Sequence, residues 1–310
     1  MSLLHILYTN ALTASQASPF PPVGQYGHPG GAPAGPATDQ EVAAYRQLLV
    51  NAIQEKHLQS FYPPDRLDRI VGQLAYEAPS KINRLVQEWG IPVEIATDVM
   101  KLALFDVILF VDDSGSIEFE ERGVRKDQLK QILGIIATGA SAFDQDGISV
   151  RFMNSSQLGD QICNPGDVDR LVSCVTFSGA TPLGTNLERK VLKPMVVGPA
   201  KEYRLNKPVL IITITDGQPT GEPLESVANA VQYAAEAVSQ GAVSFQFSQV
   251  GNDQKAREFL ASLDGNHDIG GFIDCTSSKS CPGSQVRSTD VFQISSSNKK
   301  KCPELTLRFT

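Results

Sequence analysis

The chain has 310 residues, of which 41% are hydrophobic, and its 34 acidic and 27 basic residues give a net charge of −7. The hydrophobic content is enough for a globular core and excludes wholesale disorder. The acidic balance argues against a general nucleic-acid binder, whose surface would be basic.

Residues 1–38 are predicted to form a disordered arm, because residues 17–38 are rich in Pro, Gly and Ala and lack apolar periodicity. Residues 39–104 are predicted to form a helical extension. Its first helix begins at a capping box, Thr38-Asp-Gln-Glu41, and runs to about Lys56. Further helices are predicted after Tyr62-Pro-Pro-Asp65, from Ser80 to Gly90, and from Pro92 to about Leu104.

From Asp106 onward, apolar runs alternate with amphipathic segments. The predicted strands are Val107–Val111, Ile148–Met153, Val209–Thr215, Val243–Val250 and Gly271–Cys275. The predicted helices are Glu120–Ala142, Leu183–Leu192, Leu224–Gln240 and Asp253–Leu263. This alternation predicts an α/β fold, with a doubly wound, mostly parallel sheet between two layers of helices. Residues 105–275 are the predicted α/β domain, and the Ser-, Lys- and Gly-rich residues 276–310 are predicted to be a disordered tail.

The cysteines and histidines predict neither a zinc site nor a disulfide framework. The five cysteines include no Cys-x-x-Cys pair, and the four histidines are scattered along the chain. Reduced cysteines are typical of the cell interior. No apolar run reaches the roughly 18 residues that a membrane-spanning helix needs. The sequence therefore predicts a cytoplasmic protein without a membrane span.

Oxygen-bearing side chains follow the first predicted strand at every second position. They are Asp112, Ser114 and Ser116, and Gly115 between the serines lets the chain turn tightly. Carboxylate and hydroxyl oxygens at the C-terminal edge of a parallel strand suit a hard cation such as Mg²⁺. The same composition also occurs in ordinary turns, so this segment alone is a weak signal.

The Asp112-x-Ser114-x-Ser116 pattern resembles the metal-ion-dependent adhesion site of von Willebrand factor type A domains. Two later segments resemble the same family and come in the same order. The loop at residues 178–187 contains Thr181, which matches the metal-binding threonine, and the strand at residues 208–217 ends in Asp216. Residues 245–252 are similar to intracellular, fungal-type members. The resemblance covers about residues 106–275 and implies a Rossmann-like type A fold.

The resemblance implies a site for Mg²⁺ or Mn²⁺ formed by Asp112, Ser114, Ser116, Thr181 and Asp216. Neutral hydroxyl ligands would leave the ion electron-poor, with one coordination position open to an outside oxygen. The implied function is a metal-dependent protein-binding module without enzyme activity. Its protein partner would supply a Glu or Asp carboxylate. Together with the acidic charge and the lack of a long apolar run, this predicts no nucleic-acid partner and no membrane span.

Several alternatives stay open. Thr185 competes with Thr181, which is preferred because it follows Gly179-Ala180 as the threonine of the family follows its glycine. Asp113 is predicted to point away from the site, as a solvated group or as a support for the ligands.

A Mg²⁺-dependent hydrolase or phosphotransferase that uses Asp112 is the second candidate function. Against it, Ser114 takes the second acidic position of an Asp-x-Asp motif, and the sequence has no phosphate loop or nucleophile elbow. A third candidate is a scaffold in which the Pro-rich arm docks onto an aromatic groove.

Overall fold

The computed structural model describes residues 38–276, so the arm predicted for residues 1–38 and the tail predicted for residues 276–310 lie outside it, except for Thr38 and Thr276. The α-helices between these limits are Asp39–Glu55 (α1), Pro64–Trp89 (α2), Val93–Lys101 (α3), Gly115–Phe119 (α4), Val124–Phe143 (α5), Pro165–Ser173 (α6), Leu183–Leu187 (α7), Gly198–Lys201 (α8), Glu225–Ala237 (α9) and Gln254–Asp264 (α10). None of the helices in this part of the chain has the length and apolar character required to cross a membrane.

The strands are Asp106–Val111 (β1), Ile148–Phe152 (β2), Leu158–Ile162 (β3), Val209–Thr215 (β4), Val243–Gln249 (β5) and Ile273–Thr276 (β6). They form one sheet in the order β3-β2-β1-β4-β5-β6. Every neighbouring pair is parallel except β2 and β3, which are antiparallel. The predicted α/β class, a mostly parallel and Rossmann-like sheet flanked by helices, is confirmed.

The central strands are apolar along their whole length because both faces of the sheet are covered. On β1, Leu109 and Val111 face one hydrophobic cluster, while Ile108 and Phe110 face a second cluster on the opposite side. Helices α5 and α6 cover the first face, and α7, α9 and α10 cover the second. This two-sided burial fixes the height and register of β1 and β4, whose ends carry the candidate site.

The first three helices share the core of the sheet. Ile53 of α1, Ile82 of α2 and Val99 of α3 belong to the same buried cluster as Leu109 of β1. The predicted capping box is present, because Thr38 and Glu41 exchange hydrogen bonds at the start of α1. Residues 39–104 therefore add a helical layer to the first face of the sheet.

The prediction of a separate helix beginning at Ser80 is wrong. Helix α2 runs without a break through Pro79 and Ser80 to Trp89, and Gly90 ends it with a φ of 63°. A proline inside a helix costs about 3 kcal/mol. Here the cost is offset because a continuous apolar face of α2 is buried on both sides of Pro79.

Strand β3 and helix α6, between residues 158 and 173, are missing from the sequence prediction. Only Gly159 and Ile162 of β3 are buried, and the other three residues, Leu158 among them, are exposed. A short polar edge strand of this kind lacks the apolar run that marks β1 and β4. The prediction also ended the helix after Thr181 too early, because α7 continues through wider turns at Glu188–Val197.

Two glycine substitutions test how tightly the helices pack around the sheet. A Cβ at Gly184 in α7 would lie 2.3 Å from the carbonyl carbon of Ser226 in α9, so backbone would have to move. A Cβ at Gly72, inside α2, would meet no atom within 4 Å. In urea titrations we expect Gly184→Ala to lower the free energy of unfolding by about 1–3 kcal/mol and Gly72→Ala to raise it by about 0.5–1 kcal/mol. Equal effects of the two substitutions would contradict this packing.

Candidate metal centre

The candidate site lies where the strand order changes direction. After β1 the chain adds β2 on one side, and β4 later takes the other side of β1. The backbone amide of Asp112 donates to the carbonyl oxygen of Ile214 at 2.9 Å, so the two strand ends stay paired to the edge of the sheet. Open α/β sheets bind their ligands in the crevice beyond such strand ends. Asp112 and Asp216 both follow these ends.

Three of the five predicted ligands form a row of oxygens in hydrogen-bond contact, and a fourth, Asp112, joins this row through a backbone amide. The hydroxyl oxygens of Ser114 and Ser116 lie 3.0 Å apart, and Ser116 donates to Oδ1 of Asp216 at 3.0 Å. Asp112 is fully buried below them. Its Oδ1 accepts from the amide of Ser114 at 2.9 Å, and its Oδ2 accepts from the hydroxyl of Thr215 at 2.6 Å.

Thr181 lies on a loop that backbone contacts hold beside the turn after β1, but none of its hydrogen bonds within the described part of the chain joins it to the oxygens of Ser114, Ser116 and Asp216. The amide of Ser178 donates to the carbonyl oxygen of Asp113 at 2.8 Å, which holds the loop beside the turn after β1. The amide of Thr181 donates to the hydroxyl of Thr220 at 2.8 Å. The amide of Thr220 in turn donates to the carbonyl oxygen of Thr181 at 3.0 Å. Thr181 is buried, whereas the competing Thr185 is exposed on α7.

Glu222 holds the start of α7, which follows the Thr181 loop. Its two carboxylate oxygens accept from the amides of Gly184 at 2.7 Å and Thr185 at 2.9 Å. A negative charge at the first turn of a helix is favourable, since the amides there have no partners within the helix. Glu222 and Thr220 thus attach the Thr181 loop to the loop that follows Asp216, a role that no sequence motif indicated.

Asp113 is not a solvated residue. Its side chain is fully buried, and its two oxygens accept from the amides of Asn154 and Ser155 at 2.7 Å each. The sequence analysis predicted that Asp113 points away from the ligands. It did not predict that the loop after β2 donates hydrogen bonds to it. Asp113 therefore fixes a neighbouring loop, which Asn154 in turn ties to the carbonyl oxygen of Ala180 at 2.9 Å.

Arg125 is a residue of the site that the sequence analysis missed. Its side chain is only 6% exposed, and its Nη1 donates to Oδ2 of Asp216 at 2.6 Å. The sequence did contain a signal that Arg125 is buried. It lies four residues before Leu129 and seven before Ile132, which places all three on the same face of α5. A charged residue at such a position is rarely buried without a partner of opposite charge.

The two site carboxylates differ in their electrostatic surroundings. Burial raises the pKa of Asp112 to about 6, and the charge of Asp216 adds to this, while hydrogen bonds from Ser114 and Thr215 act in the opposite direction. Burial alone would lower the pKa of Arg125, but its bond to Asp216 and the charges near it outweigh burial and raise that pKa. Arg125 therefore keeps its positive charge beside Asp216, whereas a negative charge on the buried Asp112 is costly.

The oxygens present fit a small divalent cation. In an octahedral Mg²⁺ site with bonds of about 2.1 Å, adjacent ligand oxygens lie about 3.0 Å apart. Both separations along Ser114, Ser116 and Asp216 are 3.0 Å. This spacing is also an ordinary hydrogen-bond distance, so it is the chemistry of the donors, two hydroxyls and a carboxylate, that suits a hard cation. Oδ1 of Asp216 is on the side of the hydroxyls, since Arg125 engages Oδ2.

Comparison with known proteins adds no family assignment. No protein-family model matches the chain, and no curated protein matches it significantly. The resemblance to type A domains thus stays a prediction that rests on the segments around Asp112, Thr181 and Asp216. The sheet is compatible with a Rossmann-like fold, which many unrelated functions share.

Asp112→Asn tests the cost of the buried charge through its dependence on pH. Because the pKa of Asp112 is about 6 in the folded chain and 3.8 in the reference state, the carboxyl lowers stability as pH rises through this window. Without metal at pH 7.5, we expect Asp112→Asn to raise the free energy of unfolding by on the order of 1–3 kcal/mol. The gain should vanish below about pH 4. A gain of equal size at both pH values would contradict the assignment, and Asp146→Asn, at an exposed carboxylate, is the control.

Proposed function

We propose that this chain is a divalent-cation-dependent protein-binding module, which recognises a Glu or Asp side chain of its partner. The observation that carries the proposal is the row of oxygens of Ser114, Ser116 and Asp216, spaced 3.0 Å apart at the change in strand order. Thr181 completes the proposed ligand set from the neighbouring loop. A bound Mg²⁺ or Mn²⁺ would supply a coordination position for a carboxylate oxygen of the partner.

The environment of Asp112 favours binding over covalent chemistry. A carboxylate that attacks a phosphoryl group needs an accessible oxygen in line with the leaving group. Asp112 is fully buried, and each of its oxygens already accepts a hydrogen bond, from Ser114 and from Thr215. These contacts suit a residue that holds a ligand shell in place, so we favour the binding module over the hydrolase or phosphotransferase.

The hydrogen bonds of the carboxylates also favour Mg²⁺ or Mn²⁺ over Ca²⁺. Ca²⁺ takes six to eight oxygens and often binds carboxylates through both of their oxygens, while Mg²⁺ accepts six ligands that include water. Oδ2 of Asp216 is engaged by Arg125, and Oδ2 of Asp112 is engaged by Thr215. Bidentate binding by either carboxylate would make the ion share an oxygen with one of these bonds.

A cytoplasmic location belongs to the same proposal. Cys163, Cys174 and Cys275 are free thiols, whereas Cys281 and Cys302 lie outside the described residues. Free thiols are typical of proteins kept in reducing compartments. We expect the partner to be an intracellular protein with an exposed acidic residue.

Calorimetric titration with Mn²⁺ and Mg²⁺ tests the metal site. We expect the wild-type chain to bind one ion, Ser116→Ala to weaken binding at least tenfold, and Asp112→Ala to abolish it, because each change removes the oxygen of a proposed ligand. Asp146→Ala is the matched control, since its exposed carboxylate lies before β2 at the opposite edge of the sheet. Binding that is the same in wild type and Asp112→Ala would rule out the site.

Affinity capture from native lysate tests the binding function. We expect partners that are retained by the wild-type chain in Mg²⁺ to be lost in EDTA and lost with Asp112→Ala, while Asp146→Ala retains them. Replacing acidic residues of a captured partner by amides should abolish its binding, because the amide is a weak ligand for a hard cation. Capture that is insensitive to both EDTA and Asp112→Ala would favour the scaffold, and phosphatase turnover that is lost in Asp112→Asn would favour the enzyme.

A further inference from the structure

Three carboxylates surround the guanidinium of Arg125. Its Nη1 lies 2.6 Å from Asp216 and 2.8 Å from Glu120, and its Nη2 lies 3.0 Å from Glu121. The exposure of the side chains decreases inward, from 57% for Glu120 and 31% for Glu121 to 1% for Asp216. Arg125 is thus a fixed positive charge between solvent and the innermost ligand of the proposed metal site.

The backbone around Arg125 is shaped to admit this side chain. Glu121 and Arg122 have φ values of 50° and 57°, a region that non-glycine residues rarely adopt, and Gly123 follows at 85°. On the far side, a Cβ at Gly251 would lie 2.7 Å from Nε of Arg125. Strained backbone persists only where the surrounding structure imposes it. The fold therefore holds the side chain of Arg125 in its contact with Asp216.

We infer that Arg125 sets the cation affinity of the site by competing with the divalent ion for the charge of Asp216. The inference rests on the proposed function. Both cations attract the same carboxylate, Arg125 through Oδ2 and the ion on the side of Oδ1. They also repel each other at short range beside buried side chains, where charges are screened less than in bulk water. Arg125 balances the charge of Asp216 and thereby lowers the affinity of the site for the metal.

A merely structural Arg125 would have the opposite effect on metal binding. If it served only to position Asp216, its loss would leave that carboxylate misplaced and would weaken binding. If it competes, its loss frees a full negative charge and strengthens binding. The direction of the change in affinity therefore separates the two roles.

The test is a titration with Mn²⁺ of the full chain carrying Arg125→Met, which keeps much of the side-chain volume and removes the charge. We expect the dissociation constant to fall at least tenfold, and Arg125→Lys to stay within about threefold of wild type. The matched control is Lys126→Met, which removes the same charge one residue away, where Lys126 contacts Glu118 and the ring of Phe177. Its dissociation constant should change by less than about threefold.

A milder substitution covers the case in which Arg125→Met does not fold, as judged by circular dichroism. Glu120→Gln removes an exposed carboxylate that shares Nη1 of Arg125 with Asp216. With this charge removed, more of the positive charge of Arg125 acts on Asp216. We therefore expect the affinity for the metal to fall about threefold or more. Glu118→Gln removes the same charge beside Lys126 and should change affinity less.

The outcomes distinguish this inference from the proposed function. If wild type binds Mn²⁺ in a way that depends on Asp112, and Arg125→Met binds equally or more weakly, the inference is wrong and the metal site stands. If wild type and Asp112→Ala bind alike, both fail. If wild type does not bind but Arg125→Met binds, and Asp112→Ala in that background abolishes binding, competition by Arg125 is supported.

Discussion

Two buried carboxylates at adjacent strand ends are the constraint on which the site depends. Asp112 is fully buried, and Asp216 is only 1% exposed. Transfer of an ionised carboxylate out of water costs several kcal/mol even after relaxation. The chain offsets this cost from two directions, with hydrogen bonds from Ser114 and Thr215 to Asp112 and an ion pair from Arg125 to Asp216. β1, β4 and α5 must therefore keep a fixed arrangement.

The loops around the carboxylates are held mainly by bonds between side chains and backbone. Asp113 accepts hydrogen bonds from two amides of the loop after β2, and Thr220 accepts one from an amide of the Thr181 loop. Glu222 accepts hydrogen bonds from two amides at the start of α7. Bonds of this kind satisfy backbone groups that have no partner in a helix or a strand. They explain how loops without regular structure can present oxygens at a defined spacing at one edge of the sheet.

The parts that could be predicted from sequence are those dictated by local pattern. The apolar runs of β1 and β4 end directly before Asp112 and Asp216, and parallel strands bring such ends together. β3 could not be predicted, since its polar residues are stabilised by pairing with β2 and not by burial. The continuation of α2 through Ser80 was hidden because a buried face in the folded chain overrides a local capping signal.

The role of Arg125 could not be predicted from the sequence pattern, because its partner is determined by the tertiary structure. Its place on the buried face of α5 indicates that it needs an acidic partner. The folded chain offers three, of which Glu120 and Glu121 are near it in sequence and Asp216 is 91 residues away. Only the fold selects Asp216 as the innermost of them. Arg125 places a positive charge 2.6 Å from that carboxylate within the fold itself. Under the proposed function, the cation is then an addition to a complete fold, and its affinity follows from how much charge Arg125 leaves available.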